Sequence, residues 1–310
     1  MRETRRIEKP IVAITKGSKE KESIQEALEM LPMDELLREG DIIAITPNWV
    51  KAKPAYTGTV VGPETLQSLI RYLKKKKPAK IYIATGSGGD PTPKVMAFAG
   101  YDRVIQDEEV VFVDLNYGPY VDLSLEHPRP STTKINQLLE EIDVLISFTQ
   151  LKHHEEATMS AGIKNIALSW PPAEIHGFPK KSLGIHEDLH GFITAITKKI
   201  PIDITIVSAD KTMIGTGPSD GKAVDTPSLI LAGTDPVATD TIAARLLGFL
   251  PQAIHYLYSL YQQGFGVAEP EKMNLRGISL EEAERIFSKA AYQQEIILDK
   301  NGIKNIHGNQ

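Results

Sequence analysis

Short apolar runs alternate with amphipathic segments along most of the chain. The apolar runs predict buried strands over residues 10–14, 41–45, 80–84, 110–113, 144–148, 202–207 and 229–232. Apolar residues at helical spacing predict helices over residues 22–31, 63–75, 93–100, 134–141, 188–198, 236–247, 251–261 and 279–291. Strands that alternate with helices of this length are typical of α/β proteins. We therefore predict mostly parallel sheets flanked by helices.

The length of 310 residues suits one large domain or two closely packed ones. The alternation continues in the same style through both halves. We predict two closely packed α/β lobes, an N-terminal lobe over residues 1–150 and a C-terminal lobe over residues 151–310. No flexible linker marks the division between them.

Polar or glycine-rich segments follow five of the predicted strands. Their members are Asn48, the Gly86 to Asp90 loop with Gly88, the Lys152, His153 and His154 run, Asp210 with Gly217, and Asp235. Ligands of open parallel sheets bind beyond the carboxyl ends of the strands. These residues therefore predict one shared crevice, although turn chemistry alone also favours Gly, Asp and Asn after a strand.

Five of the eight histidines fall within 38 residues, and they are His153, His154, His176, His186 and His190. Neutral imidazole binds metals or takes a proton, and a desolvated lysine acts as a base or as a covalent anchor. We expect the catalytic groups among Lys164, His153, His176 and His186. The ligand-binding candidates are Asn48, Gly86, Gly88, Lys152, His154, Asn165, Asp210, Gly217 and Asp235.

His186 and His190 are four residues apart and would share one helix face if their helix began early enough. With Asp240 they form a hypothetical metal site. Asp188 competes as the helix cap, which would leave His186 in the preceding loop, and Asp235 also suits a helix cap. Structural roles for these histidines, each bonded to backbone, remain an alternative.

The composition narrows the class of function. A net charge of −5 argues against general nucleic-acid binding. The absence of cysteine excludes disulfides, thiolate catalysis and iron–sulfur ligation by this chain. No stretch approaches the roughly 20 apolar residues of a membrane span. A cytoplasmic location is the default expectation, and whether the chain forms a homo-oligomer stays open.

Several segments together resemble the domain of unknown function 362 family. They are Pro47 with Asn48, the Lys152 to His154 run, the Ser160 to Asn165 run, His176, Asp210 with Gly217, Pro218 and Gly221, and the Ala232 to Asp240 run that leads to Leu247 and Gly248. The resemblance covers one family-wide domain over about residues 40–280. Many relatives carry an appended ferredoxin-like segment, and this chain has no cysteine to form one.

The layout is also distantly similar to the nickel-pincer lactate racemase family. The resemblance implies that Lys164 carries the pincer cofactor and that His176 and His186 bind nickel or move protons. The arginine motif of that family is absent, and Thr46, Pro47, Asn48 and Trp49 stand in its place. We expect an enzyme that acts on a small anionic molecule, with or without a divalent metal and with racemase-like chemistry as the leading hypothesis. The alternative is a non-catalytic metal- or anion-binding accessory module.

Overall fold

The computed structural model describes residues 2–17 and 19–308. The strands are β1 (Ile11–Thr15), β2 (Ile42–Pro47), β3 (Lys80–Thr85), β4 (Val111–Asp114), β5 (Tyr120–Ser124), β6 (Thr132–Asn136), β7 (Val144–His154), β8 (Thr158–Ser160), β9 (Ile204–Ile214), β10 (Lys222–Asp225), β11 (Ile230–Gly233), β12 (Asn274–Gly277), β13 (Gln294–Asp299) and β14 (Gly302–Gly308). The helices are α1 (Glu20–Glu29), α2 (Met33–Leu36), α3 (Pro63–Lys74), α4 (Thr92–Ala99), α5 (Tyr101–Asp107), α6 (Leu138–Glu141), α7 (Gly162–Ser169), α8 (Ala173–His176), α9 (Leu189–Thr197), α10 (Pro236–Leu246), α11 (His255–Gln262) and α12 (Leu280–Tyr292). Short 3₁₀ turns occupy Ala55–Thr57, Ser182–Gly184, Pro251–Ala253 and Pro270–Lys272.

One mixed sheet organises the chain, with the strand order β12-β1-β11-β9-β7-β2-β3-β4. The neighbours from β9 through β7, β2 and β3 to β4 are all parallel. Strand β11 runs antiparallel to β9 and β1, so its carboxyl end lies at the opposite edge from theirs. This architecture confirms the predicted α/β class with a mostly parallel sheet. Strands from both halves of the chain interleave in this sheet, and the division into two lobes stays a prediction.

The core lies on both faces of the sheet because successive strand residues point to opposite sides. Val144 and Ile146 of β7 join the cluster under α1 and α3, whereas Leu145 joins the cluster under α7, α9 and α10. Central strands buried on both faces appear in the sequence as nearly continuous apolar runs. This explains why the pattern located these strands well.

The predicted helix over residues 134–141 is only partly correct. Residues 132–136 form β6, which pairs with β5 and aligns Ile135 with Val121, and the helix is confined to α6. Helix α7 was not predicted, because nearly all its residues are buried, polar ones included, and leave no solvent-exposed face. No helix in the described part of the chain is both long and apolar enough to cross a membrane.

Candidate functional site

A cavity of about 430 Å³ opens beyond the carboxyl ends of β2 and β3 and along the outer part of β7. It is lined by nine residues predicted from the sequence, namely Asn48, Gly86, Gly88, Lys152, His154, Lys164, Asn165, His186 and Gly217. Segments from distant parts of the chain therefore meet around one hollow, at the sheet edge where parallel α/β folds bind their ligands.

Two of the lysines at this cavity are buried with their ammonium groups bonded to carbonyls. Lys152 Nζ donates to the carbonyl oxygens of Thr59 and Gln150, both at 3.2 Å. Burial, and then the charge of Lys164, lower the pKa of Lys152 to about 7. Lys180 was not predicted. Its Nζ donates to three backbone carbonyls, and burial lowers its pKa to about 7.

Lys164 differs from these two lysines. It lies in the first turn of α7 and is only 7% exposed, yet its Nζ makes no hydrogen bond or ion pair with any described residue. Burial lowers the pKa of Lys164 to about 8, and the nearby carboxylate of Glu156 opposes this change. The side chain thus brings an unpartnered amine to the cavity wall.

Helix α7 is held at both ends by opposite charges. The Asp240 carboxylate accepts from the N–H groups of Gly162 (2.8 Å) and Ile163 (3.0 Å). At the other end, Lys180 Nζ donates to the carbonyls of Leu168 (2.9 Å) and Ser169 (3.3 Å). A carboxylate at the N-terminus and an ammonium at the C-terminus both match the helix dipole. These contacts fix the helix that carries the free amine.

Gly162 allows α7 to approach the sheet closely. A Cβ at this position would lie 2.1 Å from Thr205 Cγ2, so any larger residue would push the helix away from β9. Asn165, one turn further, donates from Nδ2 to the Thr46 carbonyl at 2.8 Å. Asn48 bridges strands in a similar way, since its Oδ1 accepts from Gln150 N–H at 2.9 Å. Both asparagine amides hold the cavity wall in place.

The hydrogen bonds of His154 fix its tautomer. Its Nδ1 accepts from the N–H groups of Glu156 and Ala157, both at 3.1 Å, so Nε2 carries the hydrogen. Burial, followed by the charges of Lys164 and Lys152, lowers the pKa of His154 to about 2. The ring is therefore a neutral donor at physiological pH.

His186 pairs with a carboxylate at the mouth of the cavity. Its Nδ1 contacts Glu156, and the same carboxylate accepts from Lys181 Nζ at 2.8 Å. Burial lowers the pKa of His186, whereas its bond to Glu156 opposes the decrease. Asp188 caps α9 through Gly191 N–H, so His186 lies in the loop before the helix, as the competing prediction stated.

The glycine-rich loop after β3 uses several of its amides internally. Ser87 N–H donates to Thr92 Oγ1 at 3.1 Å, and Gly89 N–H donates to the Val50 carbonyl at 2.9 Å. A Cβ on Gly86 would lie 2.7 Å from a backbone carbonyl of α7. The loop therefore serves close packing beside the cavity more than it offers a row of free amides to an anion.

His153 lies outside the cavity, in contrast to the prediction. Lys152 and His154 point to one side of β7, and the residue between them points to the other because side chains alternate along a strand. His153 Nδ1 accepts from Gly215 N–H at 3.0 Å, and its ring packs on Phe249. These contacts give it a structural role.

His176 is also buried elsewhere, with Nε2 2.8 Å from Thr133 Oγ1 and Nδ1 3.4 Å from the Ser182 carbonyl. The nickel-pincer resemblance implies a lysine with downstream histidines around one centre. Of the two histidines it names, only His186 lines the cavity with Lys164. The residues do not fit that arrangement, and we derive no step through a nickel cofactor.

The predicted metal ligands do not converge. His186 contacts Glu156, His190 Nδ1 accepts from Tyr256 N–H at 3.2 Å, and both oxygens of Asp240 accept from amides of α7. Among the residues that the structure describes, no group of three or more His, Asp or Glu side chains could hold a metal ion. The metal-binding prediction therefore has no support from the geometry.

Asp235 and Asp210 lie away from the cavity. Asp235 follows β11, whose reversed direction places it at the other sheet edge, where its side chain caps α10 through Val237 and Ala238 N–H. Asp210 lies within β9 instead of after it, close to Asp225 on the paired strand β10. The sequence pattern indicated neither the direction of β11, which misplaced Asp235, nor the full length of β9, which misplaced Asp210.

The profile of the family described as "Domain of unknown function (DUF362)" matches residues 43–245, more than half of the chain, and the chain belongs to this family. Among curated proteins, it is 23% identical over 236 residues to "Thylakoid-associated protein sll1697" from Synechocystis sp., covering 75% of this chain and 71% of that protein.

Two solved structures are similar to this chain at lower sequence identity. A protein from Thermotoga maritima has a TM-score of 0.44 at 15% identity and covers 74% of this chain. The lactate racemase apoprotein from Thermoanaerobacterium thermosaccharolyticum has a TM-score of 0.43 at 19% identity and covers 78% of this chain. The matches span only 59% and 58% of those two chains.

Proposed function

We propose that this protein is an enzyme that binds a small anionic molecule in the cavity and moves a proton on it. One observation carries the proposal: Lys164, a residue only 7% exposed, presents an amine without a partner among the described residues to a hollow of about 430 Å³. A volume of this size is typical of sites for small ligands.

The charges that line the cavity favour an anion. The lysines are Lys51, Lys152, Lys164, Lys180 and Lys181, and the carboxylates are Glu155 and Glu156. Glu156 is already bonded to Lys181 and His186. Burial lowers the pKa of Lys152 and of Lys164, and so lowers the fraction of each that is protonated. An anion placed beside them would favour their protonated forms. We therefore expect ligand binding to take up protons near pH 8 and to weaken as the pH rises above it.

The imidazoles supply the proposed proton chemistry. His186 is oriented by Glu156, which is the arrangement of a general base held by a carboxylate. The Nε2–H of His154 offers a neutral donor to an oxygen of the bound molecule. Together these groups suit proton abstraction at a carbon next to a carboxylate or carbonyl, as in racemisation or isomerisation.

A thermal-shift screen with small carboxylates and phosphate esters tests the binding. We expect at least one of them to stabilise the native protein, no stabilisation of Lys164→Met, and full stabilisation of Lys289→Met, which alters an exposed lysine on α12. Equal stabilisation of Lys164→Met would refute the proposed site. NMR of the stabilising compound then follows hydrogen exchange or conversion, and a tight ligand that stays unchanged would favour the accessory module.

A further inference from the structure

The three buried lysines at the cavity are not equivalent. The ammonium groups of Lys152 and Lys180 bond to backbone carbonyls, as structural lysines do. Lys164 has no such bond within the described part of the chain, although it is buried to a similar extent. Its Nζ is not one of the fully enclosed polar atoms that lack a partner, so it opens on the cavity and is accessible to a bound molecule.

We infer that Lys164 Nζ is a nucleophile that forms an imine with the carbonyl carbon of a small aldehyde or 2-oxo acid bearing an anionic group. This inference rests on the proposed function, since it names the class of anion that the same cavity takes. The amine is placed on a helix fixed at both ends, by Asp240 and by Lys180. A fixed nucleophile in a cavity of this size needs little reorganisation to attack.

The step balances without any oxidant or reductant. The lone pair of neutral Nζ forms the C–N bond, and the carbonyl π pair moves to oxygen, which takes a proton. The carbinolamine then loses its hydroxyl group as water, together with the remaining N–H proton, and leaves C=N. Only the neutral amine reacts.

Burial raises the fraction of Lys164 that is a neutral amine, because it lowers the pKa more than Glu156 raises it. With a pKa of about 8, roughly a tenth of Lys164 is neutral at pH 7, whereas a lysine at the ordinary value of 10.5 would be neutral in only about three molecules in ten thousand.

Two side chains beside Lys164, those of Lys152 and His154, offer hydrogen-bond donors to the carbonyl compound. In its protonated form Lys152 uses two of its three N–H donors on carbonyls, which leaves one for an anionic group. His154 Nε2–H has no partner among the described residues and lines the same cavity, so it offers a bond to the carbonyl oxygen that gains charge during the attack.

Reductive trapping tests the imine directly. Native protein is incubated with glyoxylate and cyanoborohydride between pH 6 and 10, and peptide mass spectrometry then locates the reduced adduct. We expect Lys164 to be labelled at least tenfold faster than exposed lysines such as Lys289, with a half-maximal rate near pH 8. Labelling of Lys164 no faster than Lys289, or no labelling at all, would overturn the inference.

Two variants make the outcome specific. Lys164→Arg keeps a positive charge but forms no imine under these conditions, so it should retain anion binding and lose the adduct. Lys289→Met should keep the Lys164 adduct unchanged. An adduct that persists elsewhere in the cavity of Lys164→Arg at the original rate would show that another lysine is the nucleophile and would refute the assignment.

A parallel measurement separates this inference from the proposed function. Glycolate carries the same carboxylate as glyoxylate and cannot form an imine. Stabilisation of the native protein by glycolate without a Lys164 adduct would refute the imine and leave anion binding intact. Absence of both the adduct and any stabilisation by glycolate or the anion panel would refute both.

Discussion

Replacement of Lys152 by methionine should stabilise the protein at neutral pH. Lys152 is 1% exposed, and its pKa falls from 10.5 to about 7 in the folded state. Below pH 10.5 the unfolded chain holds its proton more tightly than the folded chain, so the residue opposes folding. This difference in pKa lowers the free energy of unfolding by about 4 kcal/mol at pH 7 and by about 2 kcal/mol at pH 9.

Methionine has a similar length and no charge, so it removes this cost. It also removes two hydrogen bonds, worth about 2–3 kcal/mol together. The two carbonyls that lose Lys152 as a donor keep other donors. Asn48 Nδ2 bonds the Thr59 carbonyl at 2.9 Å, and Thr149 Oγ1 lies 3.4 Å from the Gln150 carbonyl. The net expectation is a gain of about 1–2 kcal/mol at pH 7 that disappears by pH 9.

Urea unfolding followed by tryptophan fluorescence measures this difference, because Trp49 and Trp170 are both buried. The native protein, Lys152→Met and the control Lys289→Met are compared at pH 7, 8 and 9. The test compares the free energies of unfolding of Lys152→Met and of the native protein. We expect the difference between them to fall by about 2 kcal/mol from pH 7 to pH 9. A difference that stays constant with pH would refute the electrostatic reasoning.

Three further substitutions test the contacts that support the cavity and the role of a histidine outside it. Asp240→Ala leaves two buried amides of α7 without an acceptor and should cost about 2–4 kcal/mol in urea unfolding, with a smaller loss for Asp240→Asn. His176→Ala should lose about 1–3 kcal/mol but bind the stabilising anion with unchanged affinity in calorimetry. Gly162→Ala should lower both the melting temperature and the affinity, because its Cβ meets Thr205 Cγ2 at 2.1 Å, and Thr205→Ser in the same chain should restore part of each.

The apolar pattern predicted the sheet well where strands are apolar and poorly where polar residues are buried. Strand β7 continues from the predicted run to His154 and buries Ser147, Thr149, Gln150 and Lys152. These polar groups find partners from other segments, such as the Thr59 carbonyl for Lys152. Hydrophobic periodicity contains no information about such partners, so the predicted strand ended too early.

The lack of information about partners from other segments also explains the errors in the predicted site. With β7 extended to residue 154, strand alternation alone separates His153 from Lys152 and His154. The reversal of β11, which moves Asp235 to the far edge, depends on which strands pair and not on local sequence. Lys180 was missed because its acceptors are the Gly86 carbonyl, 94 residues away, and two carbonyls at the end of α7, 12 and 11 residues away, which no local pattern connects to it.

The contacts that hold the two ends of α7, and with them the position of Lys164, depend on pH. Burial raises the pKa of Asp240 to about 7, and burial lowers that of Lys180 to about 7. In acid the carboxylate becomes neutral, and in alkali the ammonium becomes neutral, so both are charged together most often around neutrality. We therefore expect the charged contacts that hold the helix of Lys164 to be strongest near pH 7 and to weaken in either direction.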